Sequence, residues 1–279
     1  MPEAGPRAGR SPAAAAGGGS AAPLAVGIAG LGNIGLDVAR WLVGAAPPGL
    51  RLAAAGGRDP AAVADRLAAL GSDARAVALP ELIDHCDVLV DCLAPEASAE
   101  LLDACVESGK TLVPVSVCVL LLNPGLLERA RRSGTRVIVP SGAVAGLDAL
   151  RAAAIGELRA VRVKTSKPPA GLDGKAADAP QQLFAGDALE ACRAWPRNVN
   201  IAATLALAGL GGERTEVQIW SDPALARNVH EIEIDSDATS IRMRIENRPS
   251  AANPRSSALT AQSVCEALRG LVEPVRVGT

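Results

Sequence analysis

The chain has 279 residues, enough for two domains, and its formal net charge of −2 leaves no basic face for a polyanion such as nucleic acid. Apolar residues make up 49% of it, yet one is Phe and none is Tyr, so aliphatic side chains must build the core. Its six cysteines form no Cys-x-x-Cys pair and most fall in apolar patterns, which reads as small reduced core residues and a cytoplasmic location.

Residues 1–22 are Ala, Gly, Pro, Ser and Arg without hydrophobic periodicity, the composition of a disordered extension. No apolar stretch is long enough to span a membrane; the candidate at 201–210 is too short. An apolar run at 24–29 predicts a strand, and a helical pattern at 34–43 predicts a helix. Between them Gly30, Gly32 and Gly35 keep the Gly-x-Gly-x-x-Gly spacing. Gly30 allows the tight turn, Gly32 lets backbone N–H groups approach a pyrophosphate, and Gly35 lets the helix pack closely on the sheet. Asn33 and Ile34 open that helix, whose unpaired N–H groups and positive dipole end face the phosphates. The stretch predicts dinucleotide binding.

The second strand, 50–55, leads into Gly56-Gly57-Arg58-Asp59-Pro60 where an NAD-specific site carries an acidic residue. Arg58 suits a 2′-phosphate or an adenine face. Asp59 either reaches a ribose hydroxyl or caps the next helix. The cofactor is therefore NAD or NADP. Strands at 74–79, 87–93, 110–116 and 135–140 alternate with helices at 60–70, 95–108 and 123–133, the pattern of a doubly wound parallel sheet. Its ligand edge brings Leu93, Ala94 and Pro95, then Ser116 and Val117, then the turn from Ser141 to Gly146, beside the cofactor.

From residue 141 the pattern changes. Residues 158–166 alternate as a strand, 170–182 read as a mobile loop, and 183–195 as partly helical. Asn198 or Asn200 is placed to cap an apolar helix. Strands follow at 215–220, 229–234 and 240–246, and a last helix at 256–271 is placed to pack back on the first domain. Of the two histidines, His85 lies away from the ligand edge, with Cys86 and Cys92 nearby but no metal-ligand spacing. His230 shares a strand face with Ile232 and Ile234, so it points toward a covered face. It is the candidate acid–base residue.

Together these stretches carry a family resemblance. The glycine motif, Pro140-Ser-Gly-Ala-Val-Ala-Gly-Leu-Asp-Ala149, Ser166-Lys-Pro-Pro169, Asn198-Val-Asn-Ile-Ala-Ala-Thr-Leu-Ala-Leu-Ala-Gly209, Arg227-Asn-Val-His-Glu-Ile232 and Glu246-Asn-x-Pro-Ser250 before Asn253-Pro-x-x-Ser257 resemble L-aspartate dehydrogenase. The resemblance implies a Rossmann NAD(P)-binding domain at 23–140 and an α/β catalytic and dimerisation domain with an open mixed sheet at 141–255. It implies a homodimer, and the residues themselves predict no metal, no membrane and no nucleic-acid partner. It implies Ala143 and Asn200 on the nicotinamide cofactor and His230 in the active site. The implied reaction is oxidation of L-aspartate through iminosuccinate to oxaloacetate and ammonium, reversibly, with a place in NAD biosynthesis as one outcome. Lys164, Lys167 and Arg255 are candidates for the substrate carboxylates.

Three stretches depart from the family. Ser116-Val-Cys-Val-Leu120 replaces Ser-Val-Gly-Ala-Leu, which sets Cys118 and Val119 to crowd the cofactor or substrate. The loop after Pro169 is shorter, and Ser236-Asp-Ala-Thr239 replaces a Gly-x-Phe-Gly turn. A related dehydrogenase or imine reductase for another small acid, or a nucleotide-binding protein with reduced activity, stay open on these grounds.

Overall fold

Strand β1 (Leu24–Ala29) lies at the centre of the first sheet, and a continuous apolar run is what a strand covered on both faces requires. The computed structural model describes residues 22–169, 172, 178–250 and 253–278, the side chains of 253–256 excepted. Helix α1 (Asn33–Gly44), β2 (Leu50–Gly57), α2 (Pro60–Ala69), β3 (Arg75–Ala78), a 3-10 turn at Leu79–His85, β4 (Val88–Asp91), α3 (Pro95–Glu107) and β5 (Thr111–Pro114) follow in alternation. The sheet is parallel, in the order β3-β2-β1-β4-β5. The chain reverses its direction of progress between β1 and β4, so the ligand crevice of such a sheet opens at their carboxyl ends.

Two helices follow β5 directly, α4 (Val117–Leu122) and α5 (Pro124–Ser133). The strand expected at 135–140 is reduced to one bridge between Leu112 and Val137. Its ladder cannot extend far: Pro140 has no N–H to donate.

The second lobe begins with α6 (Leu147–Ala153), β6 (Leu158–Lys167), β7 (Gln181–Asp187), α7 (Ala188–Ala194), α8 (Asn200–Ala208), β8 (Thr215–Ser221), β9 (Val229–Ser236) and β10 (Ser240–Glu246). Its mixed sheet runs β10-β9-β6-β8-β7, with only β6 and β8 parallel. Residues 183–187 are thus strand, not helix. The helix starts later because Asp187 and Glu190 form a capping box, Asp187 accepting from the Glu190 N–H at 2.8 Å. Of the loop expected at 170–182, residues 170, 171 and 173–177 lie outside the described residues. One sheet face packs on α6, α7 and α8 around Val161, Val163, Val217, Ile219, Ile232 and Ile234. The other carries a ladder of exposed ion pairs: Arg162 with Glu216, Lys164 and Arg244 with Glu231, Arg242 with Glu233. The tight turn between β9 and β10 needs no glycine, because the Ser236 hydroxyl accepts from the Thr239 N–H at 3.0 Å.

The short pair β11 (Pro249–Ser250) and β12 (Asn253–Ser257) leads to α9 (Ala258–Arg269). Helix α9 buries Ala261, Val264 and Leu268 in the same core as Val26, Val38 and Leu42 of the first lobe. No helix among the described residues is long and apolar enough to cross a membrane.

One buried carboxylate shapes the ligand edge. Asp91, at the end of β4, is fully buried and accepts hydrogen bonds from Ser98 Oγ at 2.8 Å and the Leu93 N–H at 3.0 Å. Burial outweighs both and raises its pKa from 3.8 to about 6. A raised folded-state pKa favours the protonated form, so this group's stabilising contribution is present below pH 3.8 and is lost as pH rises through about 6. Asp91→Asn is expected to stabilise the protein at pH 7.5 by on the order of 2 kcal/mol. The same variant should flatten the fall in Tm between pH 5 and pH 7.5. Thermal unfolding at both pH values checks this, and an unchanged pH dependence refutes it.

Candidate active site

The glycine turn has the shape a dinucleotide needs. Gly30 sits at φ +86°, in the left-handed region. A Cβ at Gly35 would collide with the Gly30 carbonyl oxygen, so the helix can lie this close only with glycine there. A Cβ at Gly32 would meet nothing within 4 Å, which leaves open space where backbone must face a phosphate. The residues present therefore fit a pyrophosphate at the start of α1. A groove of about 610 Å3 continues from Gly30 and Leu31 past Arg58, Arg66 and Leu79 to Leu93 and Ala94. Arg58 is exposed on this groove. Asp59 is the cap of α2 and accepts from the N–H groups of Ala61 at 3.0 Å and Ala62 at 3.3 Å, so its carboxylate is committed to the helix. Arg66, which composition did not single out, donates to the Leu31 carbonyl.

Beyond the glycine turn lies a smaller cavity of about 180 Å3 between the lobes, lined by Ile34, Ala143, Lys167, Asn200 and His230 among others. Asn33 opens α1 on its exposed side and lines a separate surface groove. Strand alternation decides which cation enters the cavity. Lys164 and Lys167 are three positions apart on β6, so they point to opposite sheet faces. Lys164 stands on the outer face, 3.2 Å from Glu231 and with its Nζ 5.2 Å from the Trp220 ring centroid. As a candidate for a substrate carboxylate it is displaced by Lys167. Arg255 belongs to β12, and its side chain lies outside the described residues.

Lys167 is buried, and its Nζ donates to Asn198 Oδ1 at 2.9 Å and the Asn198 carbonyl at 3.2 Å. Burial lowers its pKa to about 8. His230 is Thr165's register partner on β9, so both side chains share a face. The Thr165 hydroxyl and His230 Nδ1 are 2.9 Å apart, which fixes the ring and leaves Nε2 for the cavity. Burial first, and the Lys167 charge second, lower the His230 pKa to about 3, so the imidazole is neutral at working pH.

Neither asparagine caps α8; its N-cap is Val199, without a side-chain hydrogen bond. Asn198 is claimed by Lys167, and Asn200 Oδ1 accepts from the Cys118 N–H at 3.2 Å, pinning α4 to α8. That contact also turns the Cys118 side chain away from the cavity: its Sγ lies 3.1 Å from Cys192 Sγ in the second lobe's core. Val119 packs against the first lobe's core. Of this stretch Val117 lines the cavity, and the expected crowding by Cys118 and Val119 is not found. Asn247 and Ser141, also on the wall, were visible only as parts of longer motifs. Among the described residues no group of three potential ligands could hold a metal.

Residues 30–140 match the model of the homoserine dehydrogenase NAD-binding domain, and residues 148–271 match that of the aspartate dehydrogenase C-terminal domain. L-aspartate dehydrogenase 3 of Bordetella bronchiseptica is 41% identical over 267 residues, covering 92% of this chain and 98% of that protein. L-aspartate dehydrogenase of Bradyrhizobium diazoefficiens is 40% identical over 267 residues, with coverages of 92% and 94%. The crystal structure of aspartate dehydrogenase from Thermotoga maritima superposes with a TM-score of 0.73 at 28% identity, covering 91% of this chain and 99% of that one. A scyllo-inositol dehydrogenase from Lactobacillus casei, at 13% identity and TM-score 0.55, shares the fold alone. With near-complete relatives at this identity and both lobes matched, the chain belongs to the L-aspartate dehydrogenase family.

Proposed function

We propose that the protein oxidises L-aspartate with NAD or NADP to iminosuccinate, which water converts to oxaloacetate and ammonium, and that it also runs the reverse reaction. The observation that carries this reading is a dinucleotide groove ending in a small cavity that holds one buried lysine and one neutral, oriented histidine. Bound at Gly30, Gly32, Ile34, Gly35, Ala143 and Asn200, the cofactor supplies a hydride acceptor for the substrate Cα. Lys167 takes a substrate carboxylate with its charged amine. His230 Nε2 takes the N–H proton that the amine loses as the C=N bond forms. The free enzyme holds His230 neutral. Substrate carboxylates on Lys167 offset its charge, the smaller of the two causes of the depressed His230 pKa; burial, the larger, remains.

Absorbance at the reduced-nicotinamide band tests this, with L-aspartate and each cofactor in turn, and with oxaloacetate plus ammonium in reverse. Turnover in either direction is expected. Binding of cofactor without turnover in both directions would refute the assignment of substrate.

Arg58, whose neighbour Asp59 is committed to capping α2, is the proposed partner of a 2′-phosphate. Arg58→Ala should raise the Kd for NADPH about tenfold and change that for NADH less than about twofold. Equal effects on the two would remove this role. The proposed assembly is a cytoplasmic homodimer, to be checked by light scattering; a monomer at micromolar concentration would overturn it.

A further inference from the structure

The adenosine-side groove and the catalytic cavity meet at one side chain. Arg197 lines both, and it is the residue they share among those described. It belongs to the second lobe, in the short segment between α7 and α8, next to the Asn198 that holds Lys167. Its guanidinium crosses to the first lobe and meets Glu96 in the first turn of α3, Nη2 at 3.1 Å and Nε at 3.3 Å from the same carboxylate oxygen.

Both side chains are more than half exposed. An exposed ion pair of this kind is weakly held, so exchange of its anion costs little. A dinucleotide running from Arg58 past the glycine turn into the cavity must cross the junction where Arg197 stands. The part of it that lies at the glycine turn is the pyrophosphate. Pyrophosphate oxygens offer a guanidinium the paired acceptors that a single Glu96 oxygen does not.

We infer that Arg197 is a cofactor-binding residue: its guanidinium leaves Glu96 and closes on the pyrophosphate of the bound dinucleotide from the side opposite the glycine turn. The inference rests on the dinucleotide reading of the groove. Glu96 is then a competitor of the cofactor's phosphates, and the two partners of one ion pair acquire opposite effects on binding.

The experiment titrates the full chain with NADH, followed by nicotinamide fluorescence, and separately with adenosine, which lacks both phosphates of the pyrophosphate. Arg197→Gln should raise the NADH Kd about tenfold and leave the adenosine Kd unchanged. Glu96→Gln should lower the NADH Kd severalfold, and the double variant should behave as Arg197→Gln does. An unchanged NADH Kd in Arg197→Gln overturns the inference. So does weaker NADH binding in both single variants, which would make the pair a tie between lobes. An equal loss for NADH and adenosine would deny the pyrophosphate its part. Failure of the unaltered chain to bind NADH or NADPH would instead bring down the dinucleotide reading itself.

Discussion

His230→Gln is expected to lower kcat by about 10²–10⁴-fold while the Kd for NADH stays the same. The side chain meets the two geometric demands on a general base: its Nδ1 is fixed by the Thr165 hydroxyl at 2.9 Å, and its ring borders the cavity. Glutamine keeps a polar group of similar reach but cannot accept and hold a proton. Thr165→Val tests the orientation separately. It removes the hydroxyl that holds Nδ1 and should cost activity without touching the cofactor groove. Its effect should fall mainly on kcat, because the carboxylate contact at Lys167 survives. The pH response also follows from burial. With its pKa depressed to about 3, His230 in the free enzyme carries no proton between pH 5 and 9, so it contributes no ionisation near 6.5 to the kcat/KM profile. Stopped-flow single turnovers and equilibrium fluorescence check the set, and an unimpaired kcat in His230→Gln would take His230 out of the mechanism.

The second large effect belongs to Lys167. Succinate carries both carboxylates of aspartate without its amine, and it has no ionisation of its own in the alkaline range. It is expected to bind the enzyme–NADH complex tightly only while Lys167 is protonated. Burial lowers the Lys167 pKa to about 8, so the cation is complete below that pH and is lost as pH rises through it. The succinate Kd should therefore be flat at neutral pH and rise about tenfold per unit at higher pH. Because the bound anion stabilises the ammonium, the midpoint in the complex lies above that of the free enzyme. Lys167→Met should raise the Kd by about 10- to 100-fold at pH 7 and abolish the slope. Lys167→Arg should keep binding into the alkaline range, since a guanidinium does not titrate there. Calorimetric titration across pH decides. A wild-type Kd that does not move with pH would mean that Lys167 does not carry the anion.

The fold was legible where a local rule and the global packing agree. The run at 24–29, the glycine spacing and the alternation of strands and helices each point to one parallel sheet, and each is found. Two further features carry a local signal. Asp187 and Glu190 have capping-box spacing, which places the start of α7 after the strand it was merged with. Lys164 and Lys167 differ by an odd number of strand positions, so only one could reach the cavity. The rest needed the third dimension. Asn198 and Asn200 precede an apolar helix, where a cap is the local expectation, yet one is recruited by a lysine on β6 and the other by an N–H on α4. Nothing in their own neighbourhood encodes those partners. The six apolar residues of α4 are too few to show a helical period. Cys118 stands where the family pattern carries a glycine. Its side chain lies beside Cys192, 74 positions away, a contact no spacing reveals.

The way the chain returns to its first lobe has a mechanical consequence. It passes between lobes twice, once near Ser141 and once near Asn247, and the two passages are stitched together. Gly142 N–H donates to Ser263 Oγ at 2.9 Å, Asn247 Nδ2 to the Ala143 carbonyl at 3.4 Å, and Ser257 Oγ to Asn247 Oδ1 at 3.1 Å. All of these residues except Ser263 also form the cavity wall. A double-leaved hinge therefore runs through the floor of the reaction site. Rotation of one lobe against the other has its smallest amplitude beside such an axis and a larger one at the distant rim, where α3 faces the segment between α7 and α8. The atoms around Ala143 would shift least in such a rotation, and α4, packed on α7 and α8, would have to travel with the second lobe.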